Sequence, residues 1–240
     1  MFRVEETHWW YRSLHRLLFD ALDRHLPDWQ EKKILDAGCG TGAILRRLGN
    51  PEQNVGVDLA PEAIAFCRRR GLTNVMEADI SGLPFADGSF DAVISSSVLY
   101  HEWVADVGGA LREMHRVLRP GGLVFVVLPA FRFLHSAHDV AVMTARRFTR
   151  SEFRALLLAS GFCVRRLTYW TTLLFPLAVF ARTLHGSKTG RDFEAGGLTN
   201  QLLLAIMSLE RALLRFFNLP FGVALLGVAE KPRAVEPASA

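Results

Sequence analysis

Three glycines stand on alternate positions in "LDAGCGTGA", and Asp58 follows 20 residues after Gly38, at the end of the next apolar run. This is the composition of a turn built to admit a ligand, because glycine reaches positive φ at little cost and its bare backbone allows close approach. A helix following the turn offers unpaired N–H groups to a carboxylate or phosphate. An acidic side chain at the position of Asp58 can accept from both hydroxyls of a ribose. Gly38, Gly40 and Asp58 therefore point to an adenosine-bearing cofactor. Gly38 to Ala43 satisfies both the G-x-G-x-x-G/A dinucleotide pattern and a tighter G-x-G-x-G, so the turn alone leaves the identity of that cofactor open.

Two further groups are candidates by residue type. Arg146 and Arg147 place two guanidinium groups side by side, which suits either a carboxylate or phosphate on an acceptor molecule or a solvated helix start. His135, His138 and Asp139 have the residue types of metal ligands, but no second cluster completes a coordination shell, and no metal is expected.

These residues need elements to position them. Residues 6–26 carry apolar positions at helical spacing, and Pro27 ends the run. The apolar runs "KILDA", "NVGVD", "NVMEAD", "FDAVISSS" and "GGLVFVVLPA" then alternate with helical segments near 41–48, 61–70 and 106–118. Pro61 suits a first helical turn, and Gly71 suits a helix end. Such alternation predicts a parallel sheet with helices on both faces, and ligands at the carboxyl ends of its strands. After a loop over 131–149 come a helix over 151–160, capped by Thr149 or Ser151 with Glu152, a strand "FCVRRLTYW", two helical segments and a closing strand "GVALLGVAEK". Leu202, Ile206, Leu209, Leu213 and Phe216 draw an apolar stripe down the second of those helices.

The ordered set "ILDAGCGTG", "VGVDLAPEAIAFCRRRG", "ADISGLPFADGSFDAVISSSVLYH" and "VLRPGG" resembles the class I S-adenosylmethionine-dependent methyltransferases, particularly the small-molecule branch that looks like quinone-biosynthesis enzymes. The likeness is strong from about Lys33 to Pro129. It implies a Rossmann-like, doubly wound α/β fold with a mostly parallel seven-stranded sheet, here with an apolar helical C-terminal elaboration. It implies S-adenosylmethionine as cofactor, with Asp36, Gly38 and Gly40 at the methionine end, Asp58 at the ribose, Leu59, Asp79 and Ile80 at the adenine, and Ser95 beside the sulfonium. A turn or cap role for Asp79 and Ser95 stays open. His101, in "VLYHEW", occupies the position facing the active-site mouth, where it is either a base toward the acceptor or a packing histidine; Tyr100 stands where relatives often have Glu.

The leading "EETHWWYRSLH" resembles the N-terminal helix of a bacterial subgroup in which a His-aromatic-aromatic-Arg cluster precedes the glycine motif. That likeness implies a helix closing over the cofactor, with Trp10, Tyr11 or Arg12 near the methyl; Tyr11 is a candidate catalytic residue, and Trp10 and Arg12 are candidate substrate contacts alongside Arg146 and Arg147. Trp9 and Trp10 as ordinary core remain an alternative. "RRFT" matches the subgroup's "RRYT", but Met143-Thr144 stands where relatives tend to place a histidine, so the likeness does not imply a shared substrate.

The expected division is an N-terminal helical cap (1–30), a cofactor-binding core (31–170), a helical insertion or lid (171–220), a final strand (221–231) and a disordered tail (232–240). The expected activity is methyl transfer to a small, apolar or anionic acceptor. Two rivals stay open: a nicotinamide-dependent oxidoreductase, which leaves "LPFADGSFD" and "VLRPGG" without a role, and a non-catalytic cofactor-binding partner subunit. Residues 1–120 carry 14 basic against 17 acidic side chains, and residues 121–240 carry 14 against 7. The cationic excess is scattered arginine among apolar residues, so nucleic acid is not expected. Arg182, Arg211 and Arg215, with the apolar C-terminal helices, instead make peripheral membrane contact a candidate beside a homodimer. Three unpaired cysteines and the lack of a signal-peptide pattern favour the cytoplasm.

Overall fold

The computed structural model describes residues 5–184 and 197–233, with only the backbone described for 181–184. Most of the expected tail and the side chain of Arg182 lie outside the described residues.

The helices are α1 (Trp9–His25), α2 (Ala43–Leu48), α3 (Pro61–Arg69), α4 (Val107–Val117), α5 (Ala137–Ala141), α6 (Arg150–Ala159), α7 (Phe175–Leu184) and α8 (Gly197–Leu214). The strands are β1 (Ile34–Ala37), β2 (Val55–Asp58), β3 (Val75–Glu77), β4 (Phe90–Ser96), β5 (Leu118–Pro129), β6 (Cys163–Trp170) and β7 (Ala224–Glu230). They form one seven-stranded sheet in the order β3-β2-β1-β4-β5-β7-β6. β7 runs antiparallel to both its neighbours and the other pairings are parallel. The order turns back at β1, whose outward neighbours are β2 on one side and β4 on the other, and a doubly wound sheet opens a crevice at that point.

Strand alternation sorts the core into two layers. Leu123, Phe125 and Val127 of β5 face one layer together with Trp9, Leu14, Leu18 and Leu22 of α1 and Leu203 and Met207 of α8. Val124, Val126 and Leu128 face the other, with Leu111 and Met114 of α4 and Phe153 and Leu157 of α6. Local signals set the helix starts. The His8 imidazole accepts from the Trp10 N–H at 3.3 Å, Pro61 opens α3, and Thr149 with Glu152 forms a reciprocal capping box on α6.

Two segments differ from the sequence expectation. β5 begins at Leu118 rather than at Gly121, so "RPGG" is part of the strand; a register shift between Phe90 and Ala92 accommodates it. Gly121, at φ 83°, supplies the backbone conformation that such an irregularity needs. The 131–149 stretch is not a plain loop. It holds a 3₁₀ turn at Arg132–Leu134 and then α5, which a Ser136/Asp139 capping box starts, and isolated bridges join His101 to Thr144 and Ala130 to Phe148.

Candidate functional site

A cavity of about 600 Å³ opens at the carboxyl ends of the strands. Its first half is the glycine turn. Gly38 and Gly40 have φ of 86° and 53°. A Cβ at Gly38 would fall 2.2 Å from Val98 Cγ2, so glycine is required there for packing as well as for conformation. A Cβ at Gly40 would meet nothing within 4 Å: the turn leaves room on its cavity side. Asp58 accepts the Gly40 N–H at 2.8 Å and the Ala60 N–H at 2.9 Å. The two backbone donors fix the carboxylate on the cavity wall and leave lone pairs for further donors. Asp79 accepts the Ser81 N–H at 2.8 Å and also lines the cavity, so turn and wall roles coexist; Leu59 and Ile80 complete this end.

Asp36 is a correction. It does not line the cavity; it is 1% exposed beneath the glycine turn, and neither carboxylate oxygen has a hydrogen-bond partner. Burial, followed by the charge of Asp58, pushes its pKa up to about 7. With its pKa near 7, this acid beside Asp58 is one whose ionisation a cationic ligand above it would favour. An adenosine with a positively charged amino-acid tail fits these residues: open space over Gly40, a fixed carboxylate for a diol, an apolar flank for a base, and a buried acid below that a positive charge would ionise.

The second half is walled by Trp10, Leu14, Leu174, Leu177, Leu203 and Val223, drawn from α1, α7, α8 and the segment before β7. Trp10 packs on Trp170 with ring centroids 4.7 Å apart. α8 is tied down rather than hinged. Glu210, fully buried, accepts the N–H groups of Thr171 at 2.5 Å and Leu173 at 2.9 Å, and Arg211 pairs with Asp20 at 2.5 Å. Asn200 accepts the Trp9 N–H at 2.8 Å and donates to the Thr7 carbonyl at 3.1 Å. Residues 5–8 run across the glycine turn. Glu5 accepts the Thr41 hydroxyl at 2.6 Å and pairs with Arg70, and Glu6 pairs with Arg46 at 2.8 Å.

Polar groups cluster where the halves meet. His101 stacks on Trp103 at 4.2 Å, and its Nδ1 lies 3.3 Å from the Met143 carbonyl. A carbonyl only accepts, so Nδ1 carries the proton and Nε2 is left to take one. Burial lowers the pKa of this imidazole, which is therefore neutral at pH 7. Tyr11 and Tyr100 line the same region. Burial raises both phenols, Tyr11 with help from the Glu5 charge and Tyr100 to about 12, so both are proton donors at neutral pH.

Arg147 lines the cavity, but its guanidinium is committed. Nη2 and Nε donate to Asp139 Oδ1 at 2.7 and 3.0 Å, and Nη1 donates to the Ala130 carbonyl at 2.9 Å. Asp139 also accepts from the Ser136 backbone and hydroxyl, which commits the carboxylate of the His-x-x-His-Asp stretch to this network. Three expected contacts fall elsewhere. Arg146 turns away and donates to the Val104 carbonyl at 2.7 Å; Arg12 is not on the wall; Ser95 is fully buried in β4, and Ser96 and Ser97 line the cavity in its place. The strand period explains Ser95, since adjacent residues point to opposite faces. Glu5, Thr41 and Glu210 escaped sequence reasoning, and Asp139 entered it only as a metal-type residue. The capping pair Ser136/Asp139 is a signal that could have located Asp139; the other three depend on partners 36 residues away or more.

Residues 35–126 match the family model described as "Methyltransferase domain". The chain is 36% identical over 123 residues to malonyl-[acyl-carrier protein] O-methyltransferase of Enterobacter lignolyticus, covering 50% of this chain and 48% of that one. It is 44% identical over 104 residues to fatty-acid O-methyltransferase of Mycolicibacterium smegmatis, covering 40% and 36%. The chain thus spans about half the length of the curated relatives it matches. Among solved structures, the complex between the Haloferax volcanii Trm112 methyltransferase activator and a methyltransferase contains a chain that matches with a TM-score of 0.63 at 23% identity, covering 96% of this chain and 92% of that one. At that identity the likeness speaks for the fold.

Proposed function

We propose that residues 35–126 form a class I, S-adenosylmethionine-dependent methyltransferase domain and that the chain moves the methyl group onto a small, largely apolar acceptor held between α1, α7 and α8. One observation carries this reading: a single cavity runs from the glycine turn and Asp58 to a wall of tryptophan and leucine side chains, with a neutral imidazole at the junction.

S-adenosylmethionine supplies an activated methyl on a cationic sulfur. Asp58 holds the ribose diol, Leu59, Asp79 and Ile80 take the adenine, and Gly38 and Gly40 admit the amino-acid tail over the buried Asp36 carboxyl. Trp10, Leu174 and Leu203 hold the acceptor and exclude water. Fixing an acceptor in line contributes roughly 7–11 kcal/mol in well-aligned cases. Tyr11 donates a hydrogen bond to the acceptor. Nε2 of His101 takes the proton of an enol or phenol acceptor; a carboxylate acceptor has none to give and leaves the imidazole idle. Arg147 is neutralised by Asp139, so the only arginine on the described wall orients a polar acceptor group rather than supplying a free positive charge. The relatives' printed acceptors, a malonyl thioester and a fatty acid, support an acyl or lipid-like molecule.

Within the expected divisions, the described residues 5–30 act as a cap, 31–170 as the cofactor core, and 171–184 with 197–220 as the acceptor wall. The outer faces of α7 and α8 meet a membrane surface or a second copy. Among the described residues no helix is long and apolar enough to cross a membrane, and action in the cytoplasm fits three free cysteines. Calorimetry with S-adenosylhomocysteine, followed by transfer of labelled methyl to decanoic acid, a naphthohydroquinone and a simple phenol, tests the reading. Micromolar binding and one labelled product are expected; binding of NADH without S-adenosylhomocysteine overturns it.

A further inference from the structure

α8 is apolar on two opposite faces. Leu203, Met207 and Leu214 are buried, and Leu203 reaches the cavity wall. On the other side Leu198, Leu202, Leu209 and Phe216, spaced by four and seven residues, form one stripe exposed at 85%, 62%, 60% and 79%. Gln201, Ala205, Ser208 and Ala212, exposed beside the stripe, bring no charge to it. Leu177 of α7 links inside to outside, because it lines the cavity and is itself half exposed.

The charge sits at one end. Where α8 finishes, Phe217 is exposed beside Phe216, and a recess of about 330 Å³ brings Arg24, Arg166, Arg211 and Arg215 together against only Asp20 and Asp23. Both aspartates are engaged, Asp20 by Arg211 and Asp23 by the Trp29 indole at 2.7 Å. Arg24 and Arg166 donate to main-chain carbonyls at the C-terminal end of α8, which carry partial but no formal negative charge. The local potential is positive enough that Arg166, Arg24 and Arg165 assist burial in lowering the pKa of the neighbouring His25.

We infer that the outer stripe of α8, ending in Phe216, Phe217 and the arginine recess, is a docking surface for an anionic lipid bilayer, from which a lipid-like acceptor enters the cavity past Leu177. An uncharged apolar stripe ending in aromatic and cationic side chains matches the acyl boundary and the headgroup layer of such a surface. A self-complementary dimer gains nothing from a recess in which four arginines face two carboxylates and net positive charge remains. The acceptor clause rests on the proposed methyl transfer; the docking surface does not.

The experiment is co-sedimentation of the full chain with phosphatidylcholine vesicles and with vesicles carrying 30% phosphatidylglycerol, at low and high salt. Binding to the anionic vesicles is expected to exceed binding to the neutral ones at least tenfold and to weaken with salt. Leu202→Glu with Leu209→Glu is expected to abolish it, and Arg215→Glu to reduce it about fivefold or more. Affinity for S-adenosylhomocysteine, measured on the same variants, is expected to stay unchanged; this certifies the fold and separates failure of docking from failure of the proposed activity. Absence of anionic-vesicle binding by the parent chain overturns the inference. So does a stable dimer by light scattering that the double variant dissolves, or undiminished vesicle binding by a double variant that retains S-adenosylhomocysteine affinity.

Discussion

The two halves of the cavity are built by different means. The cofactor half is backbone and fixed charge: a glycine turn, an aspartate held by two N–H groups 2.8 and 2.9 Å away, and a buried orphan carboxyl. The acceptor half is side-chain surface gathered from helices distant in sequence, with Asn200 tied to Trp9 and Arg211 to Asp20 across 191 residues. A ligand shared across a family can be met by a local motif. A ligand peculiar to one chain is met by whatever distant surfaces the fold brings together.

The contrast breaks first at its polar junction. Arg147→Met leaves Asp139 as a buried uncompensated charge and is expected to cost about 3–5 kcal/mol in denaturant unfolding. Asp139→Asn in the same background should recover part of that loss, which a merely steric effect would not allow. The cofactor half is expected to fail next and alone. Asp58→Ala removes charge-assisted contacts and leaves the part-buried Gly40 N–H without its acceptor, so S-adenosylhomocysteine affinity in calorimetry should fall roughly 100-fold or more. The acceptor Michaelis constant is expected to move far less.

Protons distinguish the same two regions. His15, on the α1 side of the cavity, has its pKa lowered to about 4 by burial, assisted by Arg47 and Arg70. Its native pKa lies below the unfolded value, so the unfolded chain binds the extra proton, and stability is lost as pH falls from about 6.5 toward 4. Asp36 has the opposite sign: its raised pKa makes the native state the proton binder, and stability falls as pH rises from about 4 toward 7. Thermal melts of His15→Gln and Asp36→Asn against pH should each lose one limb, with a span for His15 of at most about 3 kcal/mol. The smallest effect belongs to the acceptor wall. Leu203→Ala should raise the Michaelis constant for an apolar acceptor about tenfold and leave S-adenosylhomocysteine affinity unchanged.

The sequence by itself determined the alternation of strands and helices and the glycine turn with Asp58 behind it. Alternating apolar runs fix strand faces, Pro61 and Thr149 fix helix starts, and glycines at alternate positions followed by Asp58 fix a turn, all through forces acting within a few residues or one crossover. It did not determine which of Ser95, Ser96 and Ser97 meets the cavity, because an offset of one residue along a strand turns a side chain to the other face. Nor did it show that Arg147 spends its charge on Asp139 while Arg146 turns to the Val104 carbonyl, or that Glu210 pins the chain after β6. Those outcomes depend on which distant surfaces share one low-dielectric interior. Buried charge must find a partner there, and only the folded chain decides which partner is within reach.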